Sequence, residues 1–293
     1  MGNDPIALLL RLLRLYGMYA PWSTGQSRVA TLMESLARRL PEGRRFVVAS
    51  RDGRRFVVDA RERQYWMGLL DRGVFEPAAT RALSECVPKG ATVVDAGANF
   101  GWYSTLLSRL VGPTGTVYAF EPMPHTASLL RENCELNGCT NVEVIEAALA
   151  DAEGTATLFL RSGRACGDAS MFTGTREDER VHSCRVTTLD DYFAQRRLSS
   201  CAFIKCDVEG AELLFVRGAA AVLAANRPAV LIEINPVALA RAGARGSSVL
   251  SELRRCGNYV FEVVDGSRNR RRVLEPADCD SIDGYVNVLC RAS

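Results

Sequence analysis

At 293 residues, 47% apolar and 24% charged, the chain has the material for one large buried core with additional elements, which excludes global disorder. A formal charge of +2 gives no reason to expect a nucleic-acid partner. The arginine clusters Arg44-Arg45, Arg51/Arg54/Arg55 and Arg268/Arg270/Arg271/Arg272 read as solvated faces, with an acidic substrate or a membrane surface as the alternative. Ten cysteines are scattered without a CxxC pair, and several, such as Cys206 and Cys290, sit inside apolar runs where a thiol acts as a small hydrophobe. With no signal peptide and cleavage site in view, a reducing cytoplasm is the expected location.

The chain opens with a helix signal: Asp4 as cap, Pro5 at the first position and an apolar stretch from Ile6 to Tyr19. That stretch contains Arg11 and Arg14 and is short for crossing a bilayer, which leaves packing on the domain, a homodimer contact and peripheral membrane contact as its roles. A second helix carries Val29, Leu32, Met33, Leu36 and Leu40 at helical spacing. A hairpin follows, in which Phe46-Val47-Val48 and Phe56-Val57-Val58 flank Asp52-Gly53, a pair suited to a tight turn. A helix from about Pro77 to Cys86 leads to the break Pro88-Lys89-Gly90, so residues 1–88 form an N-terminal helix and hairpin extension, and residues 89–293 the main domain.

From Ala91 onward, short apolar runs alternate with longer helical stretches. Seven runs read as strands: Thr92–Val94, Val117–Phe120, Val142–Ile145, Phe203–Cys206, Val230–Ile234, Tyr259–Val263 and Tyr285–Leu289. This alternation predicts an α/β fold, a doubly wound and mainly parallel seven-stranded sheet of Rossmann-like type with helices on both faces. Such sheets bind ligands beyond the carboxyl ends of their strands. A polar segment from 161 to about 180 interrupts the alternation and reads as a binding lid or a disordered loop.

The first strand runs into Asp95-Ala96-Gly97-Ala98-Asn99-Phe100-Gly101. Gly97 and Gly101 allow a tight turn and close backbone approach to a ligand before a helix begins near Trp102. The spacing is G-x-x-x-G, not the G-x-G-x-x-G of a pyrophosphate site. A carboxylate at Asp95 would oppose a pyrophosphate but suits the cationic end of S-adenosylmethionine. The second strand ends at Glu121-Pro122, about twenty residues further on, where an acid can accept hydrogen bonds from both ribose hydroxyls. The third ends near Ala147 and Ala148, small residues that would leave a slot for adenine.

The blocks Val94–Gly101, Ala119–Pro122, Thr188–Asp191 and Ile204–Glu212, in this order, resemble the FkbM-type S-adenosylmethionine-dependent methyltransferases. The resemblance runs from about Gly90 to about Asp265 and leaves out the N-terminal extension and the arginine-rich stretch after Ser267. It implies a class I methyltransferase sheet, S-adenosyl-L-methionine as cofactor and, in most members, methylation of an oxygen. By that analogy Asp95, Gly97, Asn99 and Gly101 line the methionine side and Glu121 holds the ribose.

On the reacting side, the fourth strand delivers Asp207 to the carboxyl edge, with Glu209 and Glu212 on the following turn. Acids at a helix N-terminus also simply stabilise it. As catalytic candidates, one of Asp207, Glu209 and Glu212 would take the proton of a substrate hydroxyl as the methyl group arrives. The three could instead hold a divalent cation, but no metal is expected. His125 and His182 are weaker candidates for the base, Lys205 lies within a buried-looking strand with a structural or a gating role as the alternatives, and Glu233 and Asn235 either touch substrate or end their strand. The expected enzyme is an O-methyltransferase acting on a small-molecule, sugar, polyketide or glycolipid hydroxyl. The rivals are N-methylation of an amine or aminosugar, a non-catalytic S-adenosylmethionine-binding module and, least of all, a nicotinamide dehydrogenase.

Overall fold

The computed structural model describes residues 45–59, 73–161, 169–173, 178–264 and 271–293, together with Leu32, Ser35 and Leu36. The first predicted helix lies outside the described residues, and the second shows helical backbone at those three positions. The chain divides into two compact units, Met1–Pro77 and Ala78–Ser293, so the predicted helix before the Pro88 break falls with the main domain.

In the first unit β1 (Arg45–Ala49) and β2 (Arg55–Asp59) pair antiparallel, with Val47 opposite Val57 and Val48 opposite Phe56. The connection is longer than a two-residue turn. Ser50 N–H donates to Arg54 O at 2.7 Å, Gly53 alone of the predicted turn pair takes positive φ, and Asp52 instead accepts from Arg54 N–H and Nε.

The second unit takes in all of α1 (Pro77–Cys86) after its first residue and continues β3 (Thr92–Ala96), α2 (Trp102–Val111), β4 (Thr116–Phe120), α3 (Pro124–Leu136) and β5 (Val142–Ile145). Next come β6 (Ala148–Leu149), β7 (Gly154–Arg161), β8 (Asp178–Thr187), α4 (Leu189–Arg196), β9 (Phe203–Cys206), α5 (Glu212–Gly218) and α6 (Ala220–Asn226). The chain ends with β10 (Ala229–Ile234), α7 (Pro236–Arg241), α8 (Gly246–Gly257), β11 (Tyr259–Val264), β12 (Arg271–Leu274), a 3-10 turn (Pro276–Ser281) and β13 (Val286–Ala292).

Among the described residues, the main sheet has the order β12-β11-β13-β10-β9-β3-β4-β5. Strands β5, β4, β3, β9 and β10 are parallel neighbours, and β13 inserts antiparallel between β10 and β11. All seven predicted runs are strands of this sheet. The addition is β12, an antiparallel edge strand in the arginine-rich stretch. Leu274 alone of its described side chains is buried, whereas Arg272 and Val273 are exposed, as suits an edge that must not recruit another strand.

Strand alternation gives the sheet two dissimilar faces. Val94, Ala96, Phe120, Ile204, Cys206, Val230, Ile232, Val288 and Cys290 enter the largest apolar cluster, shared with Phe193, Phe215, Val216, Leu250 and Leu253 of the helices. The other face carries Val93, Phe203 and Leu231, but also Asp95 and Lys205, which sit opposite each other in register. After β3 the chain crosses to β4 on one side, while β9 arrives on the other. The carboxyl ends of β3 and β9 therefore flank a topological switch point.

Most of the predicted polar interruption, residues 162–168 and 174–177, lies outside the described residues. β7 and β8 form an antiparallel hairpin, and β6 joins β8 to make a second sheet of order β6-β8-β7, packed through Met123, Ala148, Leu158, Cys184 and Val186. Its approach to α5 requires a glycine, since a Cβ at Gly218 would lie 1.9 Å from Ala150 O.

The short helix α6 has no cap from its own Ala219, and Asp190 of α4 supplies one, its two carboxylate oxygens accepting Ala221 N–H and Val222 N–H at 2.9 Å each. Asp190→Ala should lower the unfolding free energy by about 1–2 kcal/mol, read by urea denaturation, without weakening ligand binding at the switch point. A loss below about 0.3 kcal/mol would show that this cap is not used.

Candidate functional site

The loop after β3 is shaped by close approach. Gly97 takes φ +78°, and a Cβ there would lie 1.7 Å from Asp207 O, so the β3 and β9 loops are in direct contact. Asp207 N–H donates to Ala96 O at 2.9 Å, while Gly97 N–H and Ala98 N–H both donate to Phe120 O. Asn99 adopts φ +51°, and its N–H donates to Glu121 Oε2 at 2.9 Å. Gly101 takes φ +94° at the start of α2, where a Cβ would strike Leu130 Cδ1 at 2.6 Å. Asn133 of α3 fixes the outer part of the loop by donating to Phe100 O at 2.8 Å.

Three elements thus bring Asp95, Gly97, Asn99, Glu121 and Asp207 together. Asp95 is 1% exposed; its Oδ2 accepts from Ser104 Oγ at 2.6 Å, and its Oδ1 has no hydrogen-bond partner among the described residues. Burial pushes its pKa up to about 6, against the pull of Ser104 and Lys205. Glu121 is also buried, and its Oε1 accepts Met123 N–H at 2.9 Å. Burial raises its pKa to about 7, although the amides of Met123 and Asn99 favour the ionised form. With one backbone donor on each oxygen, the carboxylate retains acceptor capacity on both.

Asp207 differs from these in being open, with 27% of its side chain exposed, and it pairs with Lys205 Nζ at 3.4 Å. Glu209 takes φ +50° and its carbonyl accepts from Ser170 Oγ at 2.6 Å. Glu212 lies beneath this turn: it is 1% exposed, and its Oε1 accepts Gly210 N–H at 3.1 Å and Val208 N–H at 3.3 Å. Burial raises its pKa to about 7. Glu212 therefore holds the loop that presents Asp207 and does not itself open to the crevice.

The remaining candidates are dispersed. Pro122 is half-buried beside Glu121. Ala147 is enclosed in the main core, and Ala148 belongs to the second sheet, opposite Val186. His125 is exposed on the first turn of α3, and His182 pairs with Leu158 within β8.

Residues 95–260 match the family model of the methyltransferase FkbM domain. The chain belongs to this family. A relative from Beauveria bassiana named methyltransferase 1 is 26% identical over 149 residues, which make up 45% of this chain and 59% of that protein. A protein-L-isoaspartate O-methyltransferase of Aeropyrum pernix is 47% identical over 53 residues, 18% of this chain and 20% of the relative. The chain thus aligns with less than two thirds of the length of these relatives. The crystal structure of the FkbM methyltransferase of Methylobacillus flagellatus aligns at a TM-score of 0.46 and 16% identity, over 91% of this chain and 60% of that one.

The cofactor of the FkbM domain is S-adenosylmethionine, and the residues at the switch point fit it. Among the described residues the Oδ1 of Asp95 is buried without a partner, where an ammonium donor would satisfy it, Glu121 has acceptor capacity for a diol, and the Gly97 turn sets the β3 loop directly against the Asp207 backbone. Ser104, Asn133 and Ser170 support this site, yet they belong to no motif. Ser104 is legible only as the residue one helical turn past Gly101, facing back along the helix towards Asp95.

The raised carboxyls couple stability to pH. Folding of the FkbM domain raises the carboxyls of Asp95, Glu121 and Glu212 above the range they keep in the unfolded chain, so each keeps its proton to higher pH when folded. The stability tied to those protons is full at low pH and lost as pH rises through about 6 to 7. Thermal melts should show Tm falling between pH 5 and pH 8, and Glu212→Gln, neutral at every pH, should flatten the decline. An unchanged slope in that variant would contradict the assignment.

Proposed function

We propose that this protein transfers the methyl group of S-adenosylmethionine to a hydroxyl oxygen of a small-molecule, sugar, polyketide or glycolipid acceptor, with Asp207 receiving the hydroxyl proton. The observation that carries the reading is the contrast among the carboxylates. Asp95, Glu121 and Glu212 are enclosed, whereas Asp207 opens at the carboxyl edge between β3 and β9. The Aeropyrum pernix relative is named as an O-methyltransferase, and the segment it shares with this chain supports oxygen as the acceptor atom.

In this reading Asp95 and the Gly97–Gly101 turn bind the methionine end, Glu121 takes the ribose hydroxyls, and Pro122, Ala147 and Ala148 lie towards the adenine. S-adenosylmethionine supplies a methyl carbon already activated by its sulfonium. The protein's task is then alignment of the nucleophile and removal of one proton. An ordinary carboxylate suffices for that, since the hydroxyl proton leaves only as the new bond forms. The acceptor would enter over the carboxyl edge, beside Ser170 and Phe172, which pack on the Glu209-Gly210 turn.

Calorimetric titration with S-adenosylhomocysteine should give binding that weakens roughly 10- to 100-fold in Asp95→Ala and Glu121→Ala. With methyl-labelled S-adenosylmethionine and paired hydroxyl and amine acceptors, label should appear on the hydroxyl compound. Asp207→Asn should lower kcat by roughly 10²- to 10⁴-fold while S-adenosylhomocysteine affinity stays within about threefold. Label on an amine but not on its hydroxyl counterpart would replace the O-methylation reading. Full turnover in Asp207→Asn would remove that residue as the base.

A further inference from the structure

Lys205 is fully buried at the centre of β9, a placement that fold stability does not require. Desolvating an ammonium is costly, and an apolar side chain of the same volume commonly serves a core as well or better. Its neighbours are those of the site. Its Nζ lies 3.4 Å from Asp207 Oδ2, it sits opposite Asp95 in the β3–β9 register, and its charge acts on the Asp95 carboxyl. The Tyr103 ring offers its face 5.3 Å from the ammonium, a contact that accepts the cation without competing for the carboxylates.

We propose that Lys205 is a positioning residue. From below the sheet edge it fixes the direction of the Asp207 carboxylate, and it ties that carboxylate to Asp95 across two adjacent strands. The open Asp207 side chain would otherwise be free to turn to solvent. The buried ammonium gives it one orientation, and Asp95 lies one strand away at the same level. The inference rests on the reading of Asp207 as the group beside the transferred methyl.

The test uses two probes of the whole protein that need no acceptor. S-adenosylhomocysteine carries a neutral sulfur, and sinefungin carries an amine cation where the methyl sulfonium would be, so their affinity ratio reads the carboxylate at that point. In the natural background, Asp207→Asn should cut the preference for sinefungin by about tenfold or more. In Lys205→Met the same substitution should change the ratio less than about threefold, and in Lys205→Arg, which keeps the charge, the larger effect should return. Equal effects of Asp207→Asn in the natural and Lys205→Met backgrounds would overturn the positioning role alone. No effect in the natural background would overturn the placement of Asp207 beside the methyl group, and this inference with it. Should Lys205→Met fail to fold, nitrogen-15 lysine spectra decide. The Lys205 ammonium signal, assigned by its absence in Lys205→Arg, should be protected from exchange in the natural protein and lose protection in Asp207→Asn. Equal protection in the two would overturn the proposal.

Discussion

The site depends on the contact between the β3 and β9 loops. Gly97 has no room for a Cβ because Asp207 O occupies that space, and Asp207 N–H is tied to Ala96 O. These two features place the glycine turn and the acid of the next strand at a fixed separation. Only a sheet whose order reverses at this point makes β3 and β9 neighbours while the intervening chain crosses elsewhere. Once the contact is made, Asn99 reaches Glu121 and Asp95 lies opposite Lys205 on the neighbouring strand. The crevice is a consequence of strand order, and its polarity follows from which side chains face it.

Much of this was legible in the chain, because the relevant signals are local. Runs such as Val93-Val94 and Val230–Ile234 announce buried strands through composition, and a glycine turn followed about twenty residues later by Glu121-Pro122 announces two successive carboxyl edges. What was not legible depends on pairings between distant residues. Among its described side chains β12 buries Leu274 alone, so no periodicity marks it. The second sheet needs Ala148-Leu149 to pair with Val186-Thr187, a match of two residues across a hairpin that sequence pattern does not reveal. Ser104 and Ser170 act through one hydroxyl each, on partners in other elements.

The acids after β9 show the same limit at the level of single residues. Asp207, Glu209 and Glu212 share a short segment and a charge, and spacing alone makes them equivalent. Burial sets Glu212 apart from the half-buried Asp207 and Glu209. Glu212 spends its Oε1 on the amides of Val208 and Gly210, whereas Asp207 meets both the crevice and Lys205. An acid beneath the loop stiffens it, and an acid on its rim can exchange a proton with an arriving group.

β9 itself shows how one strand serves two ends. Ile204 and Cys206 point into the large apolar core, which anchors the strand, while Lys205 points to the opposite face among Asp95, Asp207 and Tyr103. The alternation means that the polar group is held at both neighbours by apolar packing on the far side of the sheet. A cation on a loop could match Asp207 with less desolvation but would hold it less firmly. A rigid strand accepts the higher cost and fixes the carboxylate relative to the β3 turn, the relation that in-line transfer demands of a site whose main task is alignment.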